Sequence, residues 1–298
     1  MNSPNRLKPA VFLVFLVVLL IPGVRAAGAR ETAPTAFTAA MDKLPDSLKQ
    51  NNVLSTDLKV LFQTYGSAIR GLEVASPSRV YLVMRDGQKI LYDDGRTKSF
   101  DEKLQHADLK DMLSQPYKPG IPPTMTPPDQ DPGRIRVGAF FNAVYGTTAS
   151  QVQDNLVPVN FAGVRTSFNS QNGAASALAR VGEKLSQVLA RDPGLRPYLF
   201  PLGGSYNRRS IAGTDRRSPH SWGIALDLHK GGYWRWGKTL SPMELLALQT
   251  AYPREIVAAF EAQGFIWGGK WYHYDIMHFE YRPELLAKAQ LAVPGAKP

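Results

Sequence analysis

The sequence contains no cysteine among its 298 residues. Disulfide bonds, a lipid anchor on cysteine and thiolate metal ligands are therefore excluded, so any metal site must use histidine and carboxylate side chains. Histidine is scarce as well, with five copies in the whole chain. Any histidine ligand is thus confined to one of five positions.

Long hydrophobic runs are also rare, and the longest is AVFLVFLVVLLI near the start of the chain. A membrane-spanning helix needs about 20 apolar residues, and this run is shorter. Arg6 and Lys8 precede it, and Val24-Arg25-Ala26 follows it. A basic start, an apolar stretch and small residues at its end predict a secretory signal peptide at residues 1–26. We therefore expect an exported protein, periplasmic or associated with the cell wall, without stable membrane insertion after cleavage.

Acidic residues are outnumbered, with 25 Asp and Glu against 35 Lys and Arg, which gives a formal net charge of +10. Removal of residues 1–26 takes away three basic residues and no acidic ones, so the mature chain keeps a charge of +7. Such a charge favours an anionic polymer, which outside the cytoplasm means cell wall or membrane surface. The basic residues are spread along the chain without a recognition-helix pattern, and no nucleic-acid partner is expected.

Helical and strand patterns occur in mixed order, which predicts an α+β fold. RVYLVMRDGQKILYDDG alternates apolar and polar residues on both sides of Asp86-Gly87, as a β-hairpin does. Helices are predicted in SALARVGEKLSQVLARDPG, from the capping box at Ser241, and from Pro253 to Gln263. The proline-dense residues 116–133 predict a linker or a surface strap. GIALDL and MHFEYR alternate like strands with one buried face.

Two of these patterns hold the candidate metal ligands. Alternation in GIALDL places Asp227 on the face opposite the large apolar side chains. His220 precedes Asp227 by seven positions, and a straight strand would direct it to the other face. Pro219 and Gly223 predict a turn that folds the imidazole back over Asp227. The pair is a candidate half of a metal site.

The second half is predicted in YDIMHFEYR, where His278 faces away from the apolar side of its strand. Catalytic zinc takes three protein ligands and a water, whose pKa it lowers to about 7. Asp275, three positions before His278, is close enough to act as a general base toward such a water. Each motif alone is weak, because an isolated histidine is more often a hydrogen-bonded structural residue. The residues themselves leave that alternative open.

Taken together, GGSYNRRSIAGTDRRSPHSWGIALDL and GFIWGGKWYHYDIMHFEYRPE closely resemble the M15 family of zinc D-alanyl-D-alanine carboxypeptidases and related peptidoglycan peptidases. The resemblance is greatest to the branch that includes phage endolysins cutting L-alanyl-D-glutamate bonds. The shared signature is Ser-x-His-x6-Asp followed by Asp or Glu-x-x-His. It implies that His220, Asp227 and His278 bind one Zn²⁺ per chain and that Asp275 is the catalytic carboxylate.

The resemblance also implies a fold and further site residues. The fold is a small antiparallel sheet with flanking helices around a single zinc site, as in M15 and Hedgehog-like catalytic domains. Arg209 is expected to bind substrate in preference to Arg208, and Ser218 to contact it; a solvated basic loop and a turn serine are the alternatives. His273 and Glu280 are weaker candidates for supporting the metal ligands or the substrate.

We therefore expect an exported zinc metallopeptidase that hydrolyses an amide bond in peptidoglycan stem peptides, as a D-alanyl-D-alanine carboxypeptidase or an L-alanyl-D-glutamate endopeptidase does. The alternative is a non-catalytic, zinc-containing module that binds the cell wall. The expected organisation is a signal peptide at 1–26, an N-terminal region of uncertain role at 27–115, the linker or strap at 116–133, the zinc peptidase domain at 134–291 and a tail at 292–298.

Overall fold

α-Helices of four to 18 residues and three small antiparallel sheets make up the described part of the chain. The computed structural model describes residues 33–76, 79–121, 124–211, 213–231 and 240–292. The predicted signal peptide and residues 293–298 of the predicted tail lie outside the described residues. Within them, no helix is long and apolar enough to cross a membrane. Mixed helices and antiparallel strands fit the predicted α+β class.

The helices of the described residues lie in chain order as follows: α1 Ala33–Asp42, α2 Asp46–Lys49, α3 Asn52–Tyr65, α4 Phe100–His106, α5 Leu109–Met112, α6 Gly138–Tyr145, α7 Ala149–Asn155, α8 Ala174–Arg191, α9 Arg196–Leu199, α10 Pro242–Ala251, α11 Arg254–Glu261 and α12 Pro283–Leu291. Short 3-10 helices occupy Gln171–Gly173, Pro193–Leu195, Pro219–Trp222 and Gly268–Lys270.

The strands are β1 Ile69–Ser76, β2 Arg79–Met84, β3 Lys89–Leu91, β4 Leu156–Phe161, β5 Val164–Asn169, β6 Ala225–Asp227, β7 Phe265–Trp267 and β8 His278–Tyr281. They form a sheet of order β1-β2-β3, a β4-β5 hairpin and a sheet of order β6-β8-β7. All of the pairings are antiparallel. The third sheet carries the candidate ligands Asp227 and His278.

Local sequence explains several of these elements. Leu178, Val181, Leu185 and Val188 recur at helical spacing, and all four are buried on one face of α8. The side chain of Ser241 accepts a hydrogen bond from the Glu244 amide in a complete capping box, which starts α10 as predicted. β2 and β3 form the predicted hairpin.

One hydrophobic core extends from the N-terminal helices to α12. α3 packs against α12, and the Tyr65 hydroxyl on α3 donates a hydrogen bond to Glu284 Oε2 on α12 at 2.6 Å. The α8 helix covers the β4-β5 hairpin and also contacts α11, which in turn packs on β7. The N-terminal region therefore buries its apolar side chains against the segment that carries the candidate site.

Residues 116–133 contain no helix or strand in their described part, and they contact α11 and the segment after β7. The Tyr117 hydroxyl and the Gly120 amide donate to the two carboxylate oxygens of Glu261 at 2.6 and 2.8 Å. Further along, Thr126 donates to the carbonyl oxygen of Lys270. These bonds hold the segment against the same part of the fold that leads into Asp275 and His278.

Candidate metal centre and active site

The pairing of β6 with β8 places two candidate ligands opposite each other. In this antiparallel register Asp227 faces His278, Leu226 faces Phe279 and Ala225 faces Glu280. Directly opposed residues point to the same face of a sheet, so Asp227 and His278 share one face. On the other face, the Phe279 ring stacks on Phe260 of α11 with centroids 4.0 Å apart. This packing holds β8 in the register that joins the carboxylate to the imidazole.

His220 reaches the same point from the 3-10 helix Pro219–Trp222. This helix ends at Gly223, which has a left-handed φ of 67°. A Cβ atom there would be strained and would lie 2.6 Å from Leu156 Cδ2, so glycine is required. The turn predicted from Pro219 and Gly223 is present, and it returns the chain into β6 with the imidazole of His220 beside Asp227.

Three donor atoms converge at this place. His278 Nδ1 lies 2.9 Å from Asp227 Oδ1, His220 Nε2 lies 3.2 Å from the same oxygen, and the two ring nitrogens are 3.3 Å apart. Two imidazoles and one carboxylate are ligands that zinc accepts, and tetrahedral coordination at 2.0–2.1 Å separates its ligand atoms by about 3.3 Å. Both the chemistry and the spacing of this group fit a zinc ion.

The second nitrogen of each ring, which faces away from the group, also has a polar neighbour. His220 Nδ1 lies 2.9 Å from the carbonyl oxygen of Ser205, which can only accept, so Nδ1 carries a proton and Nε2 is the nitrogen that faces the group. His278 Nε2 lies 3.6 Å from Glu280 Oε2, which directs Nδ1 of that ring inward. Such outer contacts set the tautomer of metal-binding histidines.

The electrostatics of the group follow from close packing of unlike charges. Burial would raise the pKa of the Asp227 carboxyl, but hydrogen bonds from His220 and His278 hold it well below its usual range. Burial would lower the pKa of His278, but hydrogen bonds to Asp227 and Glu280 and the nearby carboxylate charges raise it to about 9. Asp227 is thus an anion at neutral pH, and a bound cation must compete with the proton of His278.

Asp275 lies beside the three ligands without belonging to their group. In the described part of the chain, the group of donor atoms around His278 contains His220 and Asp227 and leaves Asp275 out. The Asp275 Oδ1 atom is buried and has no hydrogen-bond partner. Burial raises the pKa of this carboxyl, and the charge of Asp227 adds to the effect, while His278 and Arg134 oppose it. A carboxyl group in this environment is suited to exchanging a proton.

Glu280, on β8 of the same sheet, forms ion pairs with two arginines. It is fully buried, and Arg136 donates to both of its carboxylate oxygens, with Nε 2.9 Å from Oε1. Arg282 lies 3.4 Å from Oε1 and also donates to Glu284, which accepts from Tyr65. Burial would raise the pKa of Glu280, but Arg136 above all keeps it well below its usual range. Hydrogen bonds and ion pairs therefore link α3 to His278 through Glu284, Arg282 and Glu280.

The remaining predicted site residues do not belong to the group of three ligands. His273 Nδ1 is 2.7 Å from Asp131 Oδ2, and its ring stacks on Phe100 at 5.6 Å. Arg209 is exposed, and its main chain bonds to the Ser221 hydroxyl. Ser218 is buried and precedes the 3-10 helix of His220. The structure brings His220, Asp227 and His278 together, with Asp275 and Glu280 adjacent.

Two arginines near the site, Arg134 and Arg136, were not predicted from the sequence. Arg136 binds Glu280, and Arg134 lies over the Trp271 ring at 4.5 Å, while that ring is 5.6 Å from the ring of His278. Both arginines come from DPGRIRVG, which contains no motif. Arg134 ends a turn at residues 132–134 and Arg136 follows it, and no sequence pattern indicated their contacts.

A second group of carboxylates, formed by Asp93, Asp94 and Asp108, lies close enough together to hold a metal ion. The side chain of Lys98 is completely shielded from solvent, and its ammonium group lies 2.7 Å from Asp94, 3.1 Å from Asp108 and 2.6 Å from Asp111. Lys110 lies 2.6 Å from Asp93. Two lysines of the chain therefore already pair with these carboxylates.

Comparison with protein families bears on the segment that holds the three ligands. A family model described as D-alanyl-D-alanine carboxypeptidase, of the M15 peptidases, matches residues 212–281. The matched segment contains the whole group of His220, Asp227 and His278 together with Asp275. The resemblance to the M15 peptidase family is confirmed. No curated protein and no solved structure matches the chain significantly.

The M15 match indicates a peptidase and covers 70 of the 298 residues. Glu280 and His273 lie within the matched segment, whereas Arg209, Arg134 and Arg136 precede it.

Proposed function

We propose that this protein is an exported zinc metallopeptidase that hydrolyses an amide bond in the stem peptides of peptidoglycan. The observation that carries the proposal is the convergence of His220 Nε2, Asp227 Oδ1 and His278 Nδ1 within 3.3 Å of one another. The M15 match over the same segment supports the reaction class. One Zn²⁺ per chain would be held by these three side chains.

Zinc, when bound, would polarise the scissile carbonyl and lower the pKa of a water to about 7. The chain's own residues supply the remaining steps. Asp275, through its unpartnered Oδ1, accepts a proton from the attacking water and delivers it to the nitrogen of the leaving amine. A dication nearby would lower the raised pKa of Asp275 and favour the basic form that the first step needs.

Other residues support the metal ligands or bind the substrate. The Glu280 carboxylate, 3.6 Å from His278 Nε2, attracts that side of the ring and keeps Nδ1 directed at the metal. Arg209 and Ser218 bind the substrate peptide from the loop before the 3-10 helix, where an exposed guanidinium suits a stem-peptide carboxylate or a developing oxyanion. His273 has a supporting role at the edge of the site through Asp131.

The proposal includes the domain organisation predicted from the sequence. Residues 1–26 act as a signal peptide that delivers the chain to the periplasm or cell wall. The zinc peptidase domain occupies residues 134–291, in the manner of an M15 or Hedgehog-like catalytic domain. The basic mature chain favours an anionic wall polymer over neutral surfaces.

Mass spectrometry of purified muropeptides incubated with the full-length mature protein tests the reaction. We expect cleavage with zinc, none after chelation and recovery when zinc is returned. Loss of a terminal alanine identifies a carboxypeptidase, and cleavage after the first stem residue identifies an endopeptidase. The variant Glu183→Gln, which alters an exposed carboxylate on α8, should behave as wild type. Intact muropeptides after incubation with zinc-saturated protein would refute the proposed reaction.

A further inference from the structure

The β4-β5 hairpin contacts the candidate metal centre although it comes from an earlier part of the sequence. Residues of β5 bind both segments that flank His220, which are the loop around Ser205 and the 3-10 helix Pro219–Trp222. The hairpin precedes the segment that the M15 family model matches. Its contacts are therefore features of this chain that the family match does not describe.

The loop before the 3-10 helix is anchored on β5 by the hydroxyl group of Ser205. This hydroxyl donates to the carbonyl oxygen of Ser167 at 2.7 Å, and it lies 2.9 Å from the hydroxyl of Thr166, which can donate to it in turn. Ser205 is buried. A buried hydroxyl that has both an acceptor and a donor is held in one orientation, so the backbone of Ser205 is fixed relative to β5.

The carbonyl group of the same residue faces His220. Its oxygen lies 2.9 Å from His220 Nδ1, and Nε2 on the other side of the ring lies 3.2 Å from Asp227 Oδ1. The position of this carbonyl oxygen therefore decides how the ring is rotated and where Nε2 is directed. Outer partners of metal-binding histidines fix the ring in this way.

The loop also pairs with the strand that carries Asp227. The amide of Gly203 donates to the carbonyl oxygen of Asp227 at 2.8 Å, and the amide of Asp227 donates to that of Gly204 at 2.9 Å. A Cβ atom at position 203 would lie 3.0 Å from Asp227 Cβ, so glycine permits this close approach. Ser205 is thus held between β5 and β6, and its loop contacts two of the three proposed ligands.

The 3-10 helix that carries His220 is anchored on β5 as well. Asn169 is fully buried, its side-chain amide donates to the carbonyl oxygen of Trp222 at 2.9 Å, and its backbone amide donates to that of Gly223 at 2.9 Å. One strand therefore fixes the backbone of His220 through Asn169 and the ring of His220 through Ser205. The α8 helix packs against both strands of the hairpin and keeps β5 in place.

We propose that Ser205 is a positioning residue that joins β5 to His220 and directs Nε2 of the ring at the metal. This inference rests on the proposed function, because it specifies how one ligand of the proposed zinc site is oriented. Loss of an outer partner of a metal-binding histidine costs about 10–100-fold in metal affinity. Ser205→Ala keeps the carbonyl oxygen and removes its anchor, so we expect a smaller loss of zinc affinity, about three- to tenfold.

A graded set of variants of the full-length mature protein tests this role. Competition with a chromophoric chelator should give the weakest zinc binding in Ser205→Ala. Thr166→Val, which removes one partner of the hydroxyl, should be intermediate, and Thr166→Ser, which keeps that partner, should be close to wild type. The control Ser186→Ala removes a hydroxyl that donates to the carbonyl oxygen of Gly182 within α8 at 2.9 Å, and it should bind zinc like wild type.

The imidazole of His220 in zinc-loaded protein gives a signal that a general loss of stability would not change. Nuclear magnetic resonance of isotope-labelled histidine shows which ring nitrogen carries a proton and whether that proton exchanges slowly with water. We expect a slowly exchanging proton on Nδ1 in wild type, assigned by its absence in His220→Gln. Ser205→Ala should lose this signal through faster exchange, whereas Ser186→Ala should keep it.

Three results would overturn the inference. One is zinc-loaded wild type in which His220 binds the metal through Nδ1 and carries its proton on Nε2, a measurement that needs no variant. The others are wild-type zinc affinity or an unchanged ring signal in folded Ser205→Ala; if that variant does not fold, Thr166→Val is judged by the same two criteria. Wild type that binds zinc but leaves muropeptides intact would refute the proposed reaction and not the role of Ser205.

Discussion

Replacement of Glu280 by glutamine should weaken zinc binding although Glu280 is not itself a proposed ligand. Its Oε2 lies 3.6 Å from His278 Nε2, and its carboxylate is fully buried between Arg136 and Arg282. Loss of an outer partner of a metal-binding histidine costs about 10–100-fold in metal affinity. Because the 3.6 Å contact is longer than an ideal hydrogen bond, we expect the lower end, about tenfold or about 1.4 kcal/mol.

The same change removes the carboxylate charge that Arg136 and Arg282 share in the described part of the chain. Breaking a buried ion pair on one side costs about 3–5 kcal/mol, so the free energy of unfolding of Glu280→Gln should also fall. Arg136→Lys keeps the charge but loses the two-pronged contact, and we expect a smaller loss of zinc affinity. Competition with a chromophoric chelator measures the affinity, and near-ultraviolet circular dichroism of the zinc-free protein verifies folding.

Glu183→Gln serves as the matched control, since it removes a carboxylate from the exposed face of α8. It should change neither the zinc affinity nor the stability. Folded Glu280→Gln with the zinc affinity of wild type would refute the reasoning that Glu280 orients His278.

Three further perturbations separate the proposed roles. Asp275→Ala should retain zinc and lose muropeptide hydrolysis, because it removes the proton acceptor; normal hydrolysis by the zinc-loaded variant would rule out this base. His278→Ala should lose both bound zinc and hydrolysis, and metal analysis showing one zinc per chain would contradict its assignment as a ligand. Lys98→Met should lower the free energy of unfolding by about 3 kcal/mol, measured by urea denaturation, because buried carboxylates lose their cation. As a comparison, loss of the exposed ion pair between Lys49 and Asp46 should lower the free energy of unfolding by less than about 1 kcal/mol. Burial would lower the pKa of Lys98, but the hydrogen bonds that it donates to its carboxylate partners raise it. Its contribution to stability is therefore present below pH ~10.5 and is lost as the pH rises through the folded-state pKa. An equally steep alkaline loss in Lys98→Met would exclude Lys98 as its cause.

Local patterns predicted the parts of the site that depend on neighbouring residues. Alternation placed Asp227 and His278 on the polar faces of their strands, and Pro219 with Gly223 predicted the turn that carries His220. These signals arise from backbone sterics over a few residues, so a single sequence reveals them.

Such local patterns do not predict which distant segments pair with each other. Nothing in the local sequence sets the register that places Asp227 opposite His278, because register depends on packing across the whole sheet. The contact of Arg136 with Glu280 joins residues 144 positions apart, and that of Tyr65 with Glu284 joins residues 219 apart. The M15 resemblance named the ligands, but it gave no indication that α3 packs against the same region.

The β4-β5 hairpin shows a different reason for a missed element. Its turn uses Ala162 and Gly163, both with positive φ, at 46° and 89°. Alanine rarely adopts this conformation, and hairpin turns of this type are recognised by Asn-Gly or Asp-Gly pairs. The packing of α8 against the two strands stabilises a turn that its own residues do not specify.

Anomalous diffraction at the zinc edge, from crystals of the mature protein grown with zinc, tests the central claim most directly. We expect a single strong peak per chain, with His220 Nε2, Asp227 Oδ1 and His278 Nδ1 each about 2.0–2.2 Å from it. A crystal that contains zinc only at other residues, with these three side chains bound to one another, would contradict the account.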